Sequence, residues 1–414
     1  MFEPGILMQP DTTVPTRSKS LPSLAHTLLI ATLIQIIATA AVLALTALAP
    51  TIAADLQIDA YWIGYQISAI YGAGVFTSAI AGTLVARYGP ARIEQATLAC
   101  CAFGFVGLAS GSLPLLLLAT ILIGIGYGLN NPAASQLLSR VTPARQRNLV
   151  FSLKQSGVPL GGIVASLGFP FLAREGNWQL ALVAGAGASI LIWIWLAASH
   201  ADSIALKIAK APFGRGFLVE QSTIWRHEKL RTLSILGFLY SGLQLSMSAF
   251  AVVALVHDAG WSLLQAGSVA AAMQLAGAFG RIGWGTIADR IGGGFRTLAI
   301  IGGLSGSCCI LLFFLPHLPG AAQVLLFVVM GAISIGWNGV LLAEVARNAP
   351  AHQVGAMTGG VLVYTFLGVM VGPSSFAMIY ALSKNYGASF LSFSVLGFAG
   401  MLLAFAVHRR NVQA

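Results

Sequence analysis

Two basic residues lie where a basic residue is expensive. Of the 22 lysines and arginines in the chain, Lys154 and Arg281 fall inside long apolar runs rather than in the gaps between them. A charge held at that depth costs several kcal/mol, so it faces a cavity or a partner. The guanidinium of Arg281 is a planar fork that can grip a carboxylate through two parallel charge-assisted bonds. It can equally pair with Glu344 or a backbone carbonyl. Lys154 offers a second positive charge, unless its long stem carries the ammonium back to the headgroups. Around these two levels sit Gln35, Tyr71, Asn130, Asn131, Gln155, Gln244, Gln274, Trp337, Asn338 and Tyr364. Gln274 precedes Arg281 by seven residues and shares its helix face. Any one of them is accounted for by a bond between helices, worth about 0.6 kcal/mol; as a cluster they read as ligands.

Acidic residues are placed differently. Asp55 and Asp59 follow the first apolar run, Asp258 ends the seventh and Glu344 lies near the end of the tenth. No Asp or Glu is read at mid-membrane level, which argues against export of cationic drugs in exchange for protons. Candidate proton acceptors are Glu344, the His257–Asp258 pair and the substrate itself. Cys100, Cys101, Cys308 and Cys309 form two adjacent pairs inside apolar runs and read as small hydrophobes. There is no HExxH and no phosphate-binding glycine loop, so no cofactor, no metal and no enzymatic activity is expected.

The elements that must hold these residues follow from composition. Of the 414 residues, 57% are hydrophobic and 8% charged, against roughly a quarter charged in a soluble domain. The natural solvent is lipid. The apolar runs predict an all-α membrane protein of twelve helices, at 24–50, 60–85, 93–112, 114–138, 148–172, 178–198, 230–256, 261–287, 296–315, 320–345, 355–381 and 386–407. The net charge of +10 then reads as topology rather than nucleic-acid binding. Arg17, Lys19, Arg87, Arg92, Arg140, Arg145, Arg147, Lys207, Lys210, Arg215, Arg226, Lys229, Arg231, Arg290, Arg296, Arg347, Arg409 and Arg410 fall on one side, and Arg174 and Lys384 on the other. The positive-inside rule puts both termini in the cytoplasm.

The chain also repeats. Gly82-Thr83-Leu84-Val85-Ala86-Arg87-Tyr88-Gly89 closes the second span, and Gly285-Thr286-Ile287-Ala288-Asp289-Arg290-Ile291-Gly292 closes the eighth. Asn131, Arg140 and Pro143 correspond to Asn338, Arg347 and Pro350 at nearly the same offset. The organisation predicted is a tail at 1–23, a six-helix bundle at 24–198, a cytoplasmic loop at 199–229, a second bundle at 230–407 and a tail at 408–414.

The G-x-x-x-D-R-x-G pattern recurring six helices apart resembles the signature loop of the major facilitator superfamily. It is complete in the second copy, whereas Ala86 stands where the first would have Asp. The resemblance implies two bundles around a central cavity lined by the first, fourth, seventh and tenth helices, a setting that suits Gln35, Asn130, Asn131, Gln244, Trp337 and Asn338. It also implies cytoplasmic latches built from Arg87, Asp289, Arg290, Glu344 and Arg347, with Asp289 near the start of the fifth helix and a first-half latch that is weaker or differently made. Gly157-Val158-Pro159-Leu160-Gly161-Gly162 and Gly368…Gly372-Pro373 resemble partial copies of an antiporter motif, though close packing and kinking explain them as well.

The spacing Arg281…Gly285…Asp289 resembles the eighth helix of the monocarboxylate transporters and the oxalate:formate antiporter, which implies that Arg281 binds a substrate carboxylate. Their second positive group, on the eleventh or first helix, has no counterpart here. The expectation is a secondary transporter of a small organic anion, a mono- or dicarboxylate, by alternating access, with protons as a candidate coupling ion. It would work as a monomer in a bacterial inner membrane. The alternative is an exporter of toxic uncharged or anionic compounds.

Overall fold

The computed structural model describes residues 23–57, 61–173, 177–199 and 215–413. The predicted tail at 1–22, Arg17, Lys19, Asp59, Arg174, Lys207, Lys210 and most of the predicted 199–229 loop lie outside the described residues.

Long apolar runs with no water to bond their backbone close every N–H and C=O within helices, and the described elements are all helical. In chain order they are α1 (Leu24–Ala47), α2 (Ala49–Asp55), α3 (Tyr61–Tyr88), α4 (Pro90–Ala109), α5 (Leu113–Val141), α6 (Arg147–Gln155), α7 (Gly157–Ile163), α8 (Phe169–Leu172) and α9 (Trp178–Ala198). They continue as α10 (Arg215–Arg226), α11 (Glu228–Ala259), α12 (Leu263–Arg290), α13 (Gly294–Phe313), α14 (Gly320–Ser334), α15 (Trp337–Asn348), α16 (Val354–Ser383) and α17 (Tyr386–Gln413).

Ten passes are long and apolar enough to cross a membrane by length and composition. α4 and α12, of 20 and 28 residues, add two more of spanning length. The protein is an integral membrane protein. Local signals start its helices: Ser23 accepts from the His26 N–H at 3.2 Å, and Ser262 forms a reciprocal cap with Gln265. One end of the bundle collects Leu24, Glu228, Asn348, Gln413 and most arginines, and is termed the basic end below.

Two predicted spans are broken. The fifth is α6, α7 and α8 with a π-helical turn at 164–168, and the tenth divides at Ile335–Gly336 into α14 and α15. The 199–229 stretch, expected as a loop, contains α10, which packs on α3, α11 and α16. Its polar and apolar residues share a helical period, so it lies across the basic end rather than through the bundle. α12 and α14 meet backbone to backbone. A Cβ on Gly280 would sit 2.1 Å from the Ala332 carbonyl, so only glycine allows this approach. Trp284 Nε1 donates to the same carbonyl at 2.9 Å. This contact fixes the depth of α12, and with it Arg281. α6 packs on α12 and α15, and α16 packs on α3 and α5.

Candidate functional site

The site begins with a missing hydrogen. Within a helix the carbonyl of Gln155 would accept from the N–H four residues on, but that residue is Pro159, which has none. Arg281, buried at 2% exposure, takes the orphan: its Nη1 donates to the Gln155 carbonyl at 3.0 Å. Pro132 acts likewise in α5, where Ser78 Oγ donates to the freed Gly128 carbonyl at 2.9 Å. Of the two alternatives to substrate binding by Arg281, the carbonyl is the one observed. Glu344 is engaged elsewhere, pairing with Arg347 and accepting from the Gly294 N–H at 3.0 Å. Arg281 Nε is buried without a partner.

Lys154 lies one residue away on α6 and is as buried as Arg281, at 2%. Its Nζ donates to Gln35 Oε1 at 2.6 Å, Asn131 Oδ1 at 2.5 Å and Gln155 Oε1 at 3.2 Å. Snorkelling is therefore not its conformation. Asn130 Nδ2 donates to the same Gln35 oxygen at 3.0 Å, and Gln155 Nε2 donates to Asn338 Oδ1. One hydrogen-bonded network thus joins α1, α5, α6, α12 and α15. Among the described residues no carboxylate pairs with either cation, and no cluster could hold a metal ion. Two buried basic side chains are thus bonded to neutral dipoles, with no carboxylate bonded to either among the described residues.

The remaining predicted residues divide. Trp337 Nε1 donates to Gln244 Oε1 at 2.8 Å, just beyond Asn338. Tyr71 stacks edge-on with Tyr127, with ring centroids 5.7 Å apart, and both rings contact Phe366 of α16. Gln274 is exposed and outside the network. Tyr364 is misplaced by the sequence reading. It accepts from Trp225 Nε1 at 2.6 Å and donates to Gln221 Oε1 at 2.8 Å, so it anchors α10, an element absent from the prediction.

At the basic end, Asp289 accepts from the Asn148 N–H at 3.2 Å, Asn148 Nδ2 at 2.8 Å and the Leu149 N–H at 2.9 Å. Gly285 and Gly339 both close on Ser152, where an added Cβ would lie 2.6 Å and 2.4 Å from side chain and backbone. Arg87 rests over the Tyr88 ring, and Arg290 is exposed; among the described residues neither makes the cross-bundle hydrogen bond or ion pair expected of a latch. Sequence reasoning missed three residues. Gln136 caps the start of α16, accepting from the Gly355 N–H at 2.9 Å and donating to the Ala351 carbonyl at 2.9 Å. Glu220 of α10 lies beside Gly82 and Ala356. Glu94, in the second turn of α4, is fully buried with neither oxygen bonded. Its place only four residues after Pro90 put it at the edge of the predicted third span, which hid it from the count of membrane acids.

A family model described as the Major Facilitator Superfamily matches residues 28–373. An uncharacterised MFS-type transporter of Mycobacterium tuberculosis is 26% identical over 242 residues, 57% of this chain and 52% of that protein. The chain thus spans about half the length of the first curated relatives it matches. The putative niacin/nicotinamide transporter NiaP of Bacillus subtilis is 25% identical over 344 residues, 81% of each protein. The crystal structure of the human organic anion transporter MFSD10 (TETRAN) is similar with a TM-score of 0.75 at 18% identity, covering 92% of this chain and 100% of that one. That last similarity is one of fold.

Proposed function

The chain belongs to the Major Facilitator Superfamily, and we propose that it is a secondary transporter of a small organic anion, a mono- or dicarboxylate, by alternating access between bundles at 24–198 and 230–407. The observation that carries this reading is the pair of buried basic residues, Lys154 from one bundle and Arg281 from the other, meeting at Gln155 with no carboxylate bonded to either among the described residues. An anion bound there is shared by both bundles. Its carboxylate meets the unpartnered Nε edge of Arg281 and displaces neutral oxygens from Lys154.

Charge-assisted bonds are roughly twice as strong as the neutral ones they replace, so the anion adds a term that exists only when the bundles converge. Such a differential is what a ligand needs to shift a conformational equilibrium. The hydrogen bonds between the two bundles from Gln136, Asn148, Leu149, Arg147, Gln155 and Arg281 cluster toward the basic end. With that end in the cytoplasm of a bacterial inner membrane, the site is reached from the opposite side. The protein works as a monomer, and protons are the candidate coupling ion.

The test is uptake of radiolabelled lactate, benzoate, nicotinate and succinate into proteoliposomes, comparing wild type with Arg281→Ala and Arg281→Lys. The expected result is entry of at least one carboxylate with wild type, and loss of roughly two orders of magnitude or more in both variants, because lysine has no fork to replace the bidentate grip. Normal uptake by both variants, or no carboxylate moving with wild type, sinks the proposal and favours export of another solute class.

A further inference from the structure

The binding network accounts for Lys154 and Arg281 but leaves Glu94 unused. Its carboxyl group is 0% exposed, and neither oxygen has a hydrogen-bond partner. It lines a small, largely apolar cleft of about 30 Å³ at the basic end, together with His26, Thr27, Ile34, Leu137, Leu196 and Ser199. Water-sized space therefore lies against this carboxyl. Lys154 of α6 is close enough for the two groups to act on each other. Among the elements packed on α4, α1 contributes His26 to the cleft. α5 and α9 line it with Leu137, Val141, Leu196 and Ser199, and α3 lines none of it. On α4 itself the titratable groups near Glu94 are Arg92, two residues before it, and Cys100 and Cys101, two turns on.

We propose that Glu94 is the proton-binding site of this transporter, loading and releasing its proton through the His26 cleft and sensing the anion through Lys154. The inference rests on the anion-carrier reading above. A carboxylate buried among apolar groups without a partner is strongly disfavoured unless a positive charge compensates it. Among the described residues, Lys154 is the basic group that acts on this carboxyl. When an anion binds Lys154, that compensating charge is spent, and a proton joins a Glu94 oxygen from water in the cleft. When the anion leaves, Lys154 again favours the ionised carboxylate, and the proton returns to that water. Anion and proton therefore bind with positive coupling, and linkage makes the effect reciprocal: each raises affinity for the other. No bond other than O–H forms or breaks.

Glu94→Gln retains the shape and the neutral form. Infrared difference spectra of the reconstituted protein, titrated from acid to alkaline pH, read the proton directly. A protonated-carboxyl band should be present in wild type and absent in Glu94→Gln, and should move in Glu94→Asp. The same spectrum in wild type and Glu94→Gln would overturn the proposal. In proteoliposomes, with whichever of lactate, benzoate, nicotinate or succinate enters fastest, Glu94→Gln should keep anion counterflow within about threefold of wild type. It should lose the rise in anion affinity that acid on the basic-end side of the membrane produces in wild type. A rise in affinity with acid that survives in Glu94→Gln, or is absent from wild type while counterflow runs, also overturns it. If wild type gives no counterflow with any of the four acids, the anion-carrier reading fails, and the infrared titration still decides whether Glu94 holds the proton. Monodisperse elution of Glu94→Gln, with Glu94→Asp retaining the band, excludes misfolding as the cause of a loss.

Discussion

The two halves of the chain close the same end of the molecule by different chemistry. In the second half the residue that completes the signature loop, Asp289, places a carboxylate on the first backbone N–H groups of α6 and on the Asn148 amide. Charge, helix dipole and three donors combine there. In the first half the corresponding position is Ala86. The start of α16 is capped by the neutral amide of Gln136 instead, and α10 adds Glu220 against Gly82 and Ala356. A charged clasp and a neutral one hold equivalent joints. The difference teaches that a latch needs a cap at a helix N-terminus, and that the cap can come from another helix when the motif lacks it.

The comparison can be broken most sharply at its charged side. Asp289→Asn should release the α12–α6 joint at a cost of about 1.5–3 kcal/mol for hydrogen bonds to a charged group. That is a shift of roughly ten- to a hundredfold toward the state open at the basic end. Spin labels on α6 and α12 should show the distance between them lengthen, and an unchanged distance distribution would mean that Asp289 does not clasp. Gly339→Ala should act in the same direction through shape alone, because the new Cβ would meet the Ser152 backbone. Loss of about 1–3 kcal/mol of packing is expected, read as faster alkylation of a cysteine placed at Ser152.

The neutral side should yield less. Gln136→Ala removes two neutral bonds worth about 0.5–1.5 kcal/mol each, and should open the α5–α16 joint by roughly tenfold on the same distance readout. Adding Ala86→Asp to that variant should restore closure if the two clasps are equivalent. No rescue would show that α10, rather than the signature position, decides the first joint.

The smallest effect belongs to Glu220, whose carboxyl is pushed up to about 7 by burial against α3 and α16. The docked state of α10 thus holds a proton that the undocked state releases nearer 4.5. Docking is favoured most below that lower value and weakens as pH rises through the window to about 7, above which it is constant. Trp225, which reports docking through its bond to Tyr364, should become more quencher-accessible at pH 8 than at pH 5, and Glu220→Gln should erase the difference. A pH response that persists in Glu220→Gln would show that this carboxyl does not set docking.

Much of the molecule was legible from residue order because lipid permits few solutions. Apolar runs had to become helices, and the incomplete Ala86 copy already announced an altered latch. The depth of Lys154 and Arg281 followed from counting residues along a helix of fixed rise. Partnerships were not legible. That Arg281 reaches the Gln155 carbonyl depends on Pro159 withholding a hydrogen in one helix and on Gly280 letting another approach, and the two helices lie more than a hundred residues apart in sequence. Tyr364 looked like a cavity residue until α10 covered it, and Glu94 drew no notice in the sequence although it is fully buried in the fold. Periodicity states which face of a helix is apolar or polar. Only packing decides which neighbour that face meets, because burial and hydrogen bonding are properties of pairs.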